Sequence, residues 1–270
     1  MLLSRYMTID GIRWACDGKL LKRSFSLASL LGMADPDVDG TIRAHLTDVP
    51  PIGSLISPIE APQEVWASGV TYLRSREARK EESEVADVYQ KVYDADRPEL
   101  FFKANGWRVV GPEGTLRIRP DSAWNVPEPE LTLVINSGGR IIGYCAGNDM
   151  SSRSIEGENP LYLPQAKVYN GSCGLGPAIV LADTATLKQL AIRIRIERSG
   201  ATVFEGDTLV SKMRRSFEEL AAYLFRELEF PSGVFLMTGT GIVPPERFTL
   251  LPGDRVVVDV GSLCLSNPIG

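Results

Sequence analysis

The clearest alternation of apolar and polar positions lies in residues 127–145, and it predicts a β-hairpin. Side chains alternate between the two faces of a strand, so one face of the first predicted strand is apolar and carries Leu131, Leu133 and Ile135. Residues 137–139 (Ser-Gly-Gly) supply the turn, and residues 140–145 run back. Antiparallel pairing about this turn predicts that the numbers of opposed residues sum to about 276.

Other short apolar runs predict further strands over residues 64–72, 97–103, 178–181, 190–197, 201–205 and 256–260. The last of these follows a predicted surface turn at residues 251–255 and is expected to be the final strand. Residues 156–164 are punctuated by glycine and prolines, which predicts a shaped loop and not a helix interior.

Helical periodicity occurs in three places. Residues 26–32 predict a short helix closed by glycine, and Ser216 with Glu219 forms a capping box that opens a second helix. The apolar face of this second helix is predicted to contain Phe217, Leu220, Ala221, Leu224 and Leu228. Residues 76–93 are highly charged and predict a polar helix on the rim of the domain, with a narrow apolar stripe of Val85, Val88, Tyr89 and Val92.

Residues 1–60 are predicted to form a small N-terminal α+β unit. It begins with two short strands joined by a turn at residues 9–12, and it ends in a linker marked by the prolines between residues 50 and 62. With 270 residues, the chain is long enough for one main domain beside this smaller unit. We therefore expect a main, catalytic domain over residues 61–270.

Composition and charge narrow the class of protein. Hydrophobic residues make up 44% of the chain and charged residues 23%, as in ordinary globular proteins. The net charge of −5 and the lack of a basic helix with interleaved aromatic residues argue against nucleic-acid binding. No apolar run approaches membrane-spanning length, and the first residues lack the features of a secretory signal. We therefore expect a cytoplasmic enzyme that binds neither nucleic acid nor membranes.

Cysteine and histidine usage limits the chemistry. The four cysteines lack CxxC spacing and are predicted to be buried thiols, without a zinc site or a disulfide framework: Cys16, Cys145, Cys173 and Cys264. The only histidine is His45, far from the other polar motifs. Acid–base work near neutral pH therefore falls to Glu, Asp, Lys, Tyr or metal-bound water, which argues against Ser-His-Asp and Cys-His chemistry.

Acidic side chains converge at the open end of the predicted hairpin. The prolines on either side hold Glu128 extended, so Glu128 and Glu130 point to the same side of the strand. The predicted register places Glu128 opposite Asn148, next to Asp149. Carboxylates this close either raise a pKa or recruit a cation, and oxygen ligands suit Mg²⁺, Mn²⁺ or Ca²⁺. A solvated strand edge, whose acids discourage aggregation, explains the same spacing equally well.

Five sequence motifs follow one another between residue 64 and the C-terminus: PEPEL, GYCAGNDMSSRS, a lysine before GSCGLGP, TGTG and LPGDRVVVDVGSLCLSNPIG. In this order they resemble the fumarylacetoacetate hydrolase superfamily. The resemblance implies a mainly β fold with α elements, a mixed β-sandwich or β-roll. It also implies that Glu128, Glu130 and Asp149 are metal ligands, with Mg²⁺ as the cation and Mn²⁺ or Ca²⁺ as alternatives. Members of this family are commonly homodimers or homotetramers.

Two further stretches, RPELFFK and SSRSIEGENPLYLPQAKVY, resemble the branch of the superfamily that dehydrates sugar acids such as 2-keto-3-deoxy-D-arabinonate. Hydrolases of the superfamily carry Asn-Tyr, then a histidine three residues after the tyrosine and a glutamate three further on, a pair that activates water. The same register here gives Thr71-Tyr72, then Ser75 and Ala78. The pair is absent, which favours a dehydratase over a C–C bond hydrolase.

The resemblance also implies roles for residues around the metal ligands. Lys167 is the leading base or polariser of the substrate, although a lysine in isolation is usually a surface residue. Glu156 or Glu158 is assigned to protonating the departing hydroxyl. Substrate binding is assigned to Lys103, Arg153 and Thr240. Their plain alternatives are a surface lysine, an arginine paired with a nearby acid and a tight turn.

These assignments predict a metal-dependent hydro-lyase for a 2-keto-3-deoxy sugar acid. The α-keto carboxylate is expected to chelate the cation, which stabilises an enolate when a C3 proton leaves, and loss of the C4 hydroxyl completes the elimination. Two other functions stay open. One is hydrolysis or decarboxylation of an acylpyruvate or 2,4-diketo acid with the same chelation, and the other is a non-catalytic binding protein that retains the pocket.

Overall fold

The computed structural model describes residues 1–73 and 86–270. These residues form the following strands: β1 (Leu2–Thr8), β2 (Gly11–Cys16), β3 (Lys19–Leu20), β4 (Ser54–Ile56), β5 (Glu64–Gly69), β6 (Glu99–Asn105), β7 (Asn125–Val126), β8 (Pro129–Ile135), β9 (Ile141–Asp149), β10 (Ser151–Ser152), β11 (Cys173–Leu181), β12 (Ala191–Arg198), β13 (Ala201–Leu209), β14 (Val234–Met237), β15 (Arg255–Val260) and β16 (Leu263–Pro268). They also form the helices α1 (Leu27–Leu31), α2 (Val38–His45), α3 (Ala86–Asp94), α4 (Arg153–Glu158), α5 (Leu163–Lys167), α6 (Thr184–Leu187) and α7 (Phe217–Leu224). Single 3₁₀ turns cover Gly106–Arg108, Pro160–Tyr162 and Val210–Lys212.

Two open sheets build the body of the protein. The larger has the strand order β3-β2-β1-β11-β9-β8-β14-β5-β6, and β4 also pairs with β1. The smaller has the order β13-β12-β15-β16, and its strands β15 and β16 pack on β9 of the larger sheet. Apolar residues of both sheets form one continuous core. The predicted mainly β fold with α elements is confirmed.

The predicted hairpin is formed by β8 and β9, but its register at the open end differs by one residue from the prediction. Next to the turn the predicted sum of about 276 is observed. Ile142 is then the extra residue of a β-bulge, which shifts every later pair by one. Glu128 therefore lies opposite Asp149 and not Asn148, and the amide of Asp149 donates to the carbonyl of Glu128 at 2.9 Å.

Strands from the predicted N-terminal unit belong to the large sheet. Strand β1 pairs with β2 through the predicted turn at residues 9–12 and pairs with β11 as well. Strand β4 lies within the predicted linker and pairs with β1, so the linker prediction is wrong for residues 54–56. The division of the chain at residue 60 stays a prediction.

Helices α1 and α7 begin after their N-caps, Ser26 and Ser216, as predicted. Helix α7 ends at Leu224, so the prediction that Leu228 belongs to its apolar face is wrong, and Leu228 is exposed. Helix α3 covers the end of the helix predicted over residues 76–93, whose earlier part lies outside the described residues. No helix within residues 1–73 and 86–270 is long and apolar enough to cross a membrane.

The segment predicted as a loop over residues 156–164 is largely helical. Helix α4, a 3₁₀ turn and helix α5 follow one another over residues 153–167. Pro160 and Pro164 lie in the first turn of their helices, where the missing N–H leaves no hydrogen bond unmade. The prolines therefore begin helices here, which is why the loop prediction was wrong.

The final strand is β16 and not the predicted strand over residues 256–260, which corresponds to β15. The predicted surface turn before β15 contains a buried carboxylate, Asp254. Its two oxygens accept hydrogen bonds from Arg198 at 2.7 and 2.8 Å. We call these two residues the Arg198–Asp254 pair.

Candidate metal and active site

Three carboxylates meet at the open end of the β8–β9 hairpin. Glu128 immediately precedes β8, Glu130 belongs to β8, and Asp149 ends β9. Each offers one oxygen, and these oxygens all lie within 4.8 Å of one another. We call these three residues the acidic cluster. Their exposed fractions are 5%, 1% and 1%, so the alternative of a solvated strand edge is wrong.

The environment of Glu130 disfavours its charged form. Burial raises the pKa of Glu130 well above its usual range, and the charges of Asp149 and Glu128 raise it further. The ammonium of Lys167 and the amide of Gly239 act in the opposite direction. The Gly239 N–H donates to Oε2 of Glu130 at 2.6 Å. Such a cluster favours the binding of a cation, because a cation removes the repulsion between the carboxylates.

Three buried cations contact the acidic cluster. Lys167, the last residue of α5, donates to Oε2 of Glu128 and to Oδ2 of Asp149, both at 2.9 Å. Arg153, the first residue of α4, donates to Oε1 of Glu128 at 3.1 Å. Nζ of Lys103, on β6, lies 2.5 Å from Oδ1 of Asp149. Each carboxylate that contacts a cation is thereby held in one orientation.

Two of the predicted substrate-binding residues lie behind the cluster. Neither Lys103 nor Arg153 is among the described residues that line the neighbouring cavity. Arg153 pairs with a nearby acid, Glu128, and its role in substrate binding stays a prediction. The ammonium of Lys103 is fully buried and contacts Asp149 and two backbone carbonyls, and its role in substrate binding stays a prediction.

A cavity opens beside the acidic cluster. Five of the residues that line it were predicted from the sequence as site residues: Glu128, Asp149, Glu156, Lys167 and Thr240. Other lining residues were not predicted: Ser68, Gly69, Val70, Glu99, Phe101 and Leu163. Glu99 matters most chemically because it adds a carboxylate. The motif RPELFFK contained the necessary pattern, since Glu99 and Phe101 are two residues apart on β6 and both face the cavity.

The two glutamates predicted to act as acids are separated by the fold. Glu156 is 4% exposed, lines the cavity, and accepts a hydrogen bond from the hydroxyl of Ser151 at 2.8 Å. Glu158 lies two residues further along α4 and is exposed to solvent. Residues two apart on a helix do not share a face, so only Glu156 can face the cavity.

The TGTG motif follows β14 and closes one side of the cavity. The hydroxyl of Thr238 donates to the carbonyl of Leu131 at 2.8 Å, and the hydroxyl of Thr71 donates to the carbonyl of Thr238 at 2.7 Å. These bonds hold the amide of Gly239 against Glu130 and leave Thr240 on the cavity wall. The motif therefore does more than make a tight turn.

The cavity wall also contains a strained backbone position. Val70 has φ 53°, which lies in the left-handed region that a β-branched residue adopts only under constraint. It sits between Gly69 and Thr71, and a Cβ on Gly69 would collide with the carboxylate of Glu99. Glycine is therefore needed at residue 69 for Glu99 to occupy its position.

His45 and the cysteines lie outside this arrangement. Nδ1 of His45 is 2.8 Å from the carbonyl of Thr41, and its ring packs edge-on against Phe25. All four cysteines are free, and three are buried as predicted; the prediction is wrong for Cys264, which is exposed on β16.

The donor set of the acidic cluster fits a hard divalent cation. It consists of carboxylate oxygens that are buried and close together, which is the ligand type of Mg²⁺, Mn²⁺ and Ca²⁺. Burial, and then the charges of the two neighbouring carboxylates, raise the pKa of Glu130. Lys103, Lys167 and Arg153 fix the orientation of two of the three carboxylates.

Comparisons with known proteins agree with this geometry. The family model described as "Fumarylacetoacetate (FAA) hydrolase C-terminal" matches residues 64–269. A protein named "Probable 2-keto-3-deoxyxylonate dehydratase" from Haloferax volcanii is 48% identical over 214 residues, which cover 78% of this chain and 73% of that protein. A 2-dehydro-3-deoxy-D-arabinonate dehydratase from Saccharolobus solfataricus is 44% identical over 214 residues, covering 77% of this chain and 72% of that protein.

A solved structure extends the similarity to the whole chain. It is a 2-keto-3-deoxy-D-arabinonate dehydratase complexed with magnesium and 2,5-dioxopentanoate, with a TM-score of 0.85 and 33% identity over 100% of this chain and 98% of that chain. The match includes the N-terminal strands that precede the family domain. The chain belongs to the fumarylacetoacetate hydrolase family.

Proposed function

We propose that this protein is a Mg²⁺-dependent hydro-lyase that removes water from a 2-keto-3-deoxy sugar acid such as 2-keto-3-deoxy-D-arabinonate. The observation that carries the proposal is the buried acidic cluster beside a cavity that holds two further carboxylates, Glu99 and Glu156. Relatives at 48% and 44% identity that bear the names of such dehydratases support the same substrate class.

The names of these relatives point to one carbon skeleton. D-arabinonate and D-xylonate differ only at C2 and C3, and a 2-keto-3-deoxy acid has no stereocentre at either carbon. Loss of the C4 hydroxyl and a C3 proton, followed by migration of the double bond toward C5, converts the C5 alcohol into an aldehyde. The product is 2-oxoglutarate semialdehyde, also called 2,5-dioxopentanoate, which the solved relative holds. We therefore propose a five-carbon substrate.

Glu128, Glu130 and Asp149 would hold the Mg²⁺. When bound, the cation acts as a Lewis acid that increases the acidity of the hydrogens next to the keto group of the substrate. Glu128 and Asp149 line the cavity and Glu130 lies beside them, so the α-keto acid end of the substrate would lie at this side of the cavity. The sugar hydroxyls then point toward the remaining cavity wall.

Lys167 is proposed to bind the substrate as an ammonium ion. Its Nζ donates to two carboxylates at 2.9 Å, an arrangement that stabilises the charged form. A charged lysine attracts the substrate carboxylate and polarises the keto oxygen, and it is a poor base. Thr240 offers a hydroxyl on the same wall. This proposal keeps the role of Lys167 as a polariser and gives the role of base to a carboxylate.

The elimination needs two proton transfers, and two carboxylates line the cavity besides those of the cluster. We assign Glu99 to removing the C3 proton and Glu156 to protonating the departing C4 hydroxyl. The hydroxyl of Ser151 donates to Glu156 and fixes its position. The aromatic ring of Phe101 and the side chain of Leu163 make part of the wall apolar.

The test is a coupled assay on protein first stripped of metal with a chelator. The substrate is 2-keto-3-deoxy-D-arabinonate, and the semialdehyde is oxidised by a NAD(P)-linked aldehyde dehydrogenase while Mg²⁺ is titrated back. Glu130→Gln serves as the site variant, because glutamine keeps the shape and still accepts the hydrogen bond from Gly239. An acylpyruvate, with pyruvate release as the readout, is assayed in parallel.

Turnover that depends on Mg²⁺ and disappears in Glu130→Gln is the expected result. Pyruvate release from the acylpyruvate without semialdehyde formation from the sugar acid would instead establish the hydrolase alternative. Absence of both activities in metal-loaded protein that binds the sugar acid would point to the non-catalytic alternative.

We further propose that the protein works in the cytoplasm as a homodimer or homotetramer. Four unpaired cysteines, one of them exposed, support a reducing compartment. The family resemblance supports an oligomer. Light scattering coupled to size-exclusion chromatography tests the assembly, and a monomer at micromolar concentration would contradict it.

A further inference from the structure

Lys103 occupies an irregular position in its strand. Strand β6 pairs with β5, and the register shifts by one between the pairs Val65–Ala104 and Trp66–Phe102. Lys103 is the extra residue of this β-bulge. A bulge interrupts the pairing of a strand and redirects a side chain, and bulges are common beside active sites. Here the side chain is directed into the interior, where it is fully buried.

The ammonium group of Lys103 contacts three oxygens, two as hydrogen-bond acceptors and one as an ion-pair partner. Nζ lies 2.5 Å from Oδ1 of Asp149, and it donates to the carbonyls of Met150 at 3.0 Å and of Lys167 at 2.5 Å. Lys103 is fully buried and is not among the described residues that line the cavity, so its ammonium does not face a substrate bound there. Lys103 can therefore influence the reaction only through the groups that it holds.

The groups held by Lys103 belong to two parts of the site. Asp149 is a member of the acidic cluster, and its other oxygen, Oδ2, accepts from Lys167. The carbonyl of Lys167 lies at the end of α5, so the same ammonium also fixes the backbone that carries the Lys167 side chain. One buried cation thus ties strand β9 to helix α5.

Burying an ammonium is costly, and the cost is offset only by good contacts of this kind. The contact at Oδ1 restricts the rotation of the Asp149 carboxylate, whose other oxygen, Oδ2, accepts from Lys167 within the acidic cluster. Mutating a residue that holds a metal ligand in position typically lowers metal affinity about 10–100-fold.

We propose that Lys103 is a positioning residue that sets the divalent-cation affinity of the acidic cluster by holding Asp149 from behind. This inference rests on the proposed function, because it takes the acidic cluster to be the metal site. It replaces the predicted role of Lys103 in substrate binding.

The test measures Mn²⁺ binding to the full-length, substrate-free protein by electron paramagnetic resonance of the free ion. Lys103→Met keeps the length of the side chain and removes the ammonium. Its matched control is Arg198→Met, which also removes the cation that holds a buried aspartate, Asp254, but outside the cavity. Lys103→Gln is a second variant that keeps a hydrogen-bond donor without the charge. Thermal unfolding selects conditions in which every variant is folded.

We expect the Kd for Mn²⁺ to rise about 10–100-fold in Lys103→Met and to stay at the wild-type value in Arg198→Met. The Kd of Lys103→Gln should lie between the values of these two variants. A folded Lys103 variant with the wild-type Kd, or with a lower one, would overturn the inference. If Lys103→Met does not fold, the Kd of Lys103→Gln decides by the same criterion. A wild-type protein that does not bind Mn²⁺ would instead overturn the proposed metal site, so the two failures are distinguishable.

Discussion

Asp149 and Asp254 are both 1% exposed, yet their surroundings differ. Asp254 receives both of its side-chain hydrogen bonds from one guanidinium, Arg198, and accepts a third from the amide of Leu251 at 2.9 Å. Asp149 contacts two ammonium groups and also shares its space with two other carboxylates. The Arg198–Asp254 pair is one acid matched with one base. The acidic cluster brings three carboxylates together, and three cations contact two of them.

The difference shows how to tell a structural buried acid from a functional one. A bidentate arginine satisfies a carboxylate geometrically and electrostatically, so nothing else is needed. In the acidic cluster the pKa of Glu130 is raised by burial and then by its acidic neighbours, so the cluster is unfavourable without a further cation. Perturbed acids next to a cavity are typical of functional sites. Four predictions test the contrast.

The largest effect is expected from Glu130→Gln. The substitution removes the Glu130 carboxylate, one of three proposed ligands. We expect turnover of the sugar acid to fall by at least about 10³-fold, comparable to the loss of a strong electrostatic contribution to catalysis. Steady-state kinetics at saturating Mg²⁺ measures this. Arg198→Met, which breaks the structural pair, should keep kcat within about 2-fold at temperatures where it is folded. Equal losses in the two variants would remove the distinction between the two regions.

The next effect concerns the proton-transfer groups. Glu99→Gln and Glu156→Gln should each lower kcat by at least about 10²-fold, the lower end of the usual contribution of a general acid or base. Mn²⁺ affinity should stay near the wild-type value, because neither residue belongs to the acidic cluster.

Glu158→Gln is the matched control for these variants, because Glu158 lies on the same helix as Glu156 but is exposed. Its kcat should not change. A large loss in Glu158→Gln, or none in Glu156→Gln, would contradict the assignment of the acid.

These predictions also show what could be learned from the sequence. The convergence of Glu128, Glu130 and Asp149 followed from strand alternation and a hairpin turn, which are local rules. The register at the open end did not, because the bulge at Ile142 depends on how neighbouring strands pack. The bulge at Lys103 has the same origin. The buried position of that lysine therefore could not be predicted from the sequence.

Glu99 was missed for a topological reason. Strand β6 reaches the site only because β14 and β5 lie between it and β8, and this order comes from pairing between distant parts of the chain. The helices over residues 153–167 were not predicted for a different reason, which is local. Prolines there occupy first turns, and the same residue type serves both to start and to end helices. Only the family resemblance pointed to the mixed sandwich.

A smaller effect is expected on stability from Arg198→Met. It leaves Asp254 buried with only its backbone donor, and we expect the free energy of unfolding to fall by about 1–3 kcal/mol, the usual cost of an unsatisfied buried group. Chemical denaturation of wild type and variant in the same buffer measures this. An unchanged midpoint would show that the pair is not structurally important.

The smallest effect is a pH dependence of stability in the metal-free protein. The folded pKa of Glu130 is raised above its ordinary value of 4.5, so between that pH and the folded pKa the native state keeps a proton that the unfolded state has released. Unfolding then releases a proton, and stability falls as pH rises, by at most about 1.4 kcal/mol per pH unit for one group. Glutamine does not titrate, so Glu130→Gln should lose this dependence.

Thermal unfolding of both proteins in chelator across pH 5 to 9 measures the difference. We expect the variant to become the more stable of the two as pH rises. Parallel curves would show that the Glu130 carboxyl titrates normally, which contradicts the description of the acidic cluster as electrostatically unfavourable.

The most direct test of the central claim is anomalous X-ray diffraction from crystals of the wild-type protein grown with Mn²⁺. The account predicts one strong peak about 2.0–2.3 Å from an oxygen of each member of the acidic cluster, at the usual distances of hard divalent cations from oxygen ligands, and no peak at the Arg198–Asp254 pair. A well-occupied peak elsewhere, with none between Glu128, Glu130 and Asp149, would contradict the metal site and the function built on it.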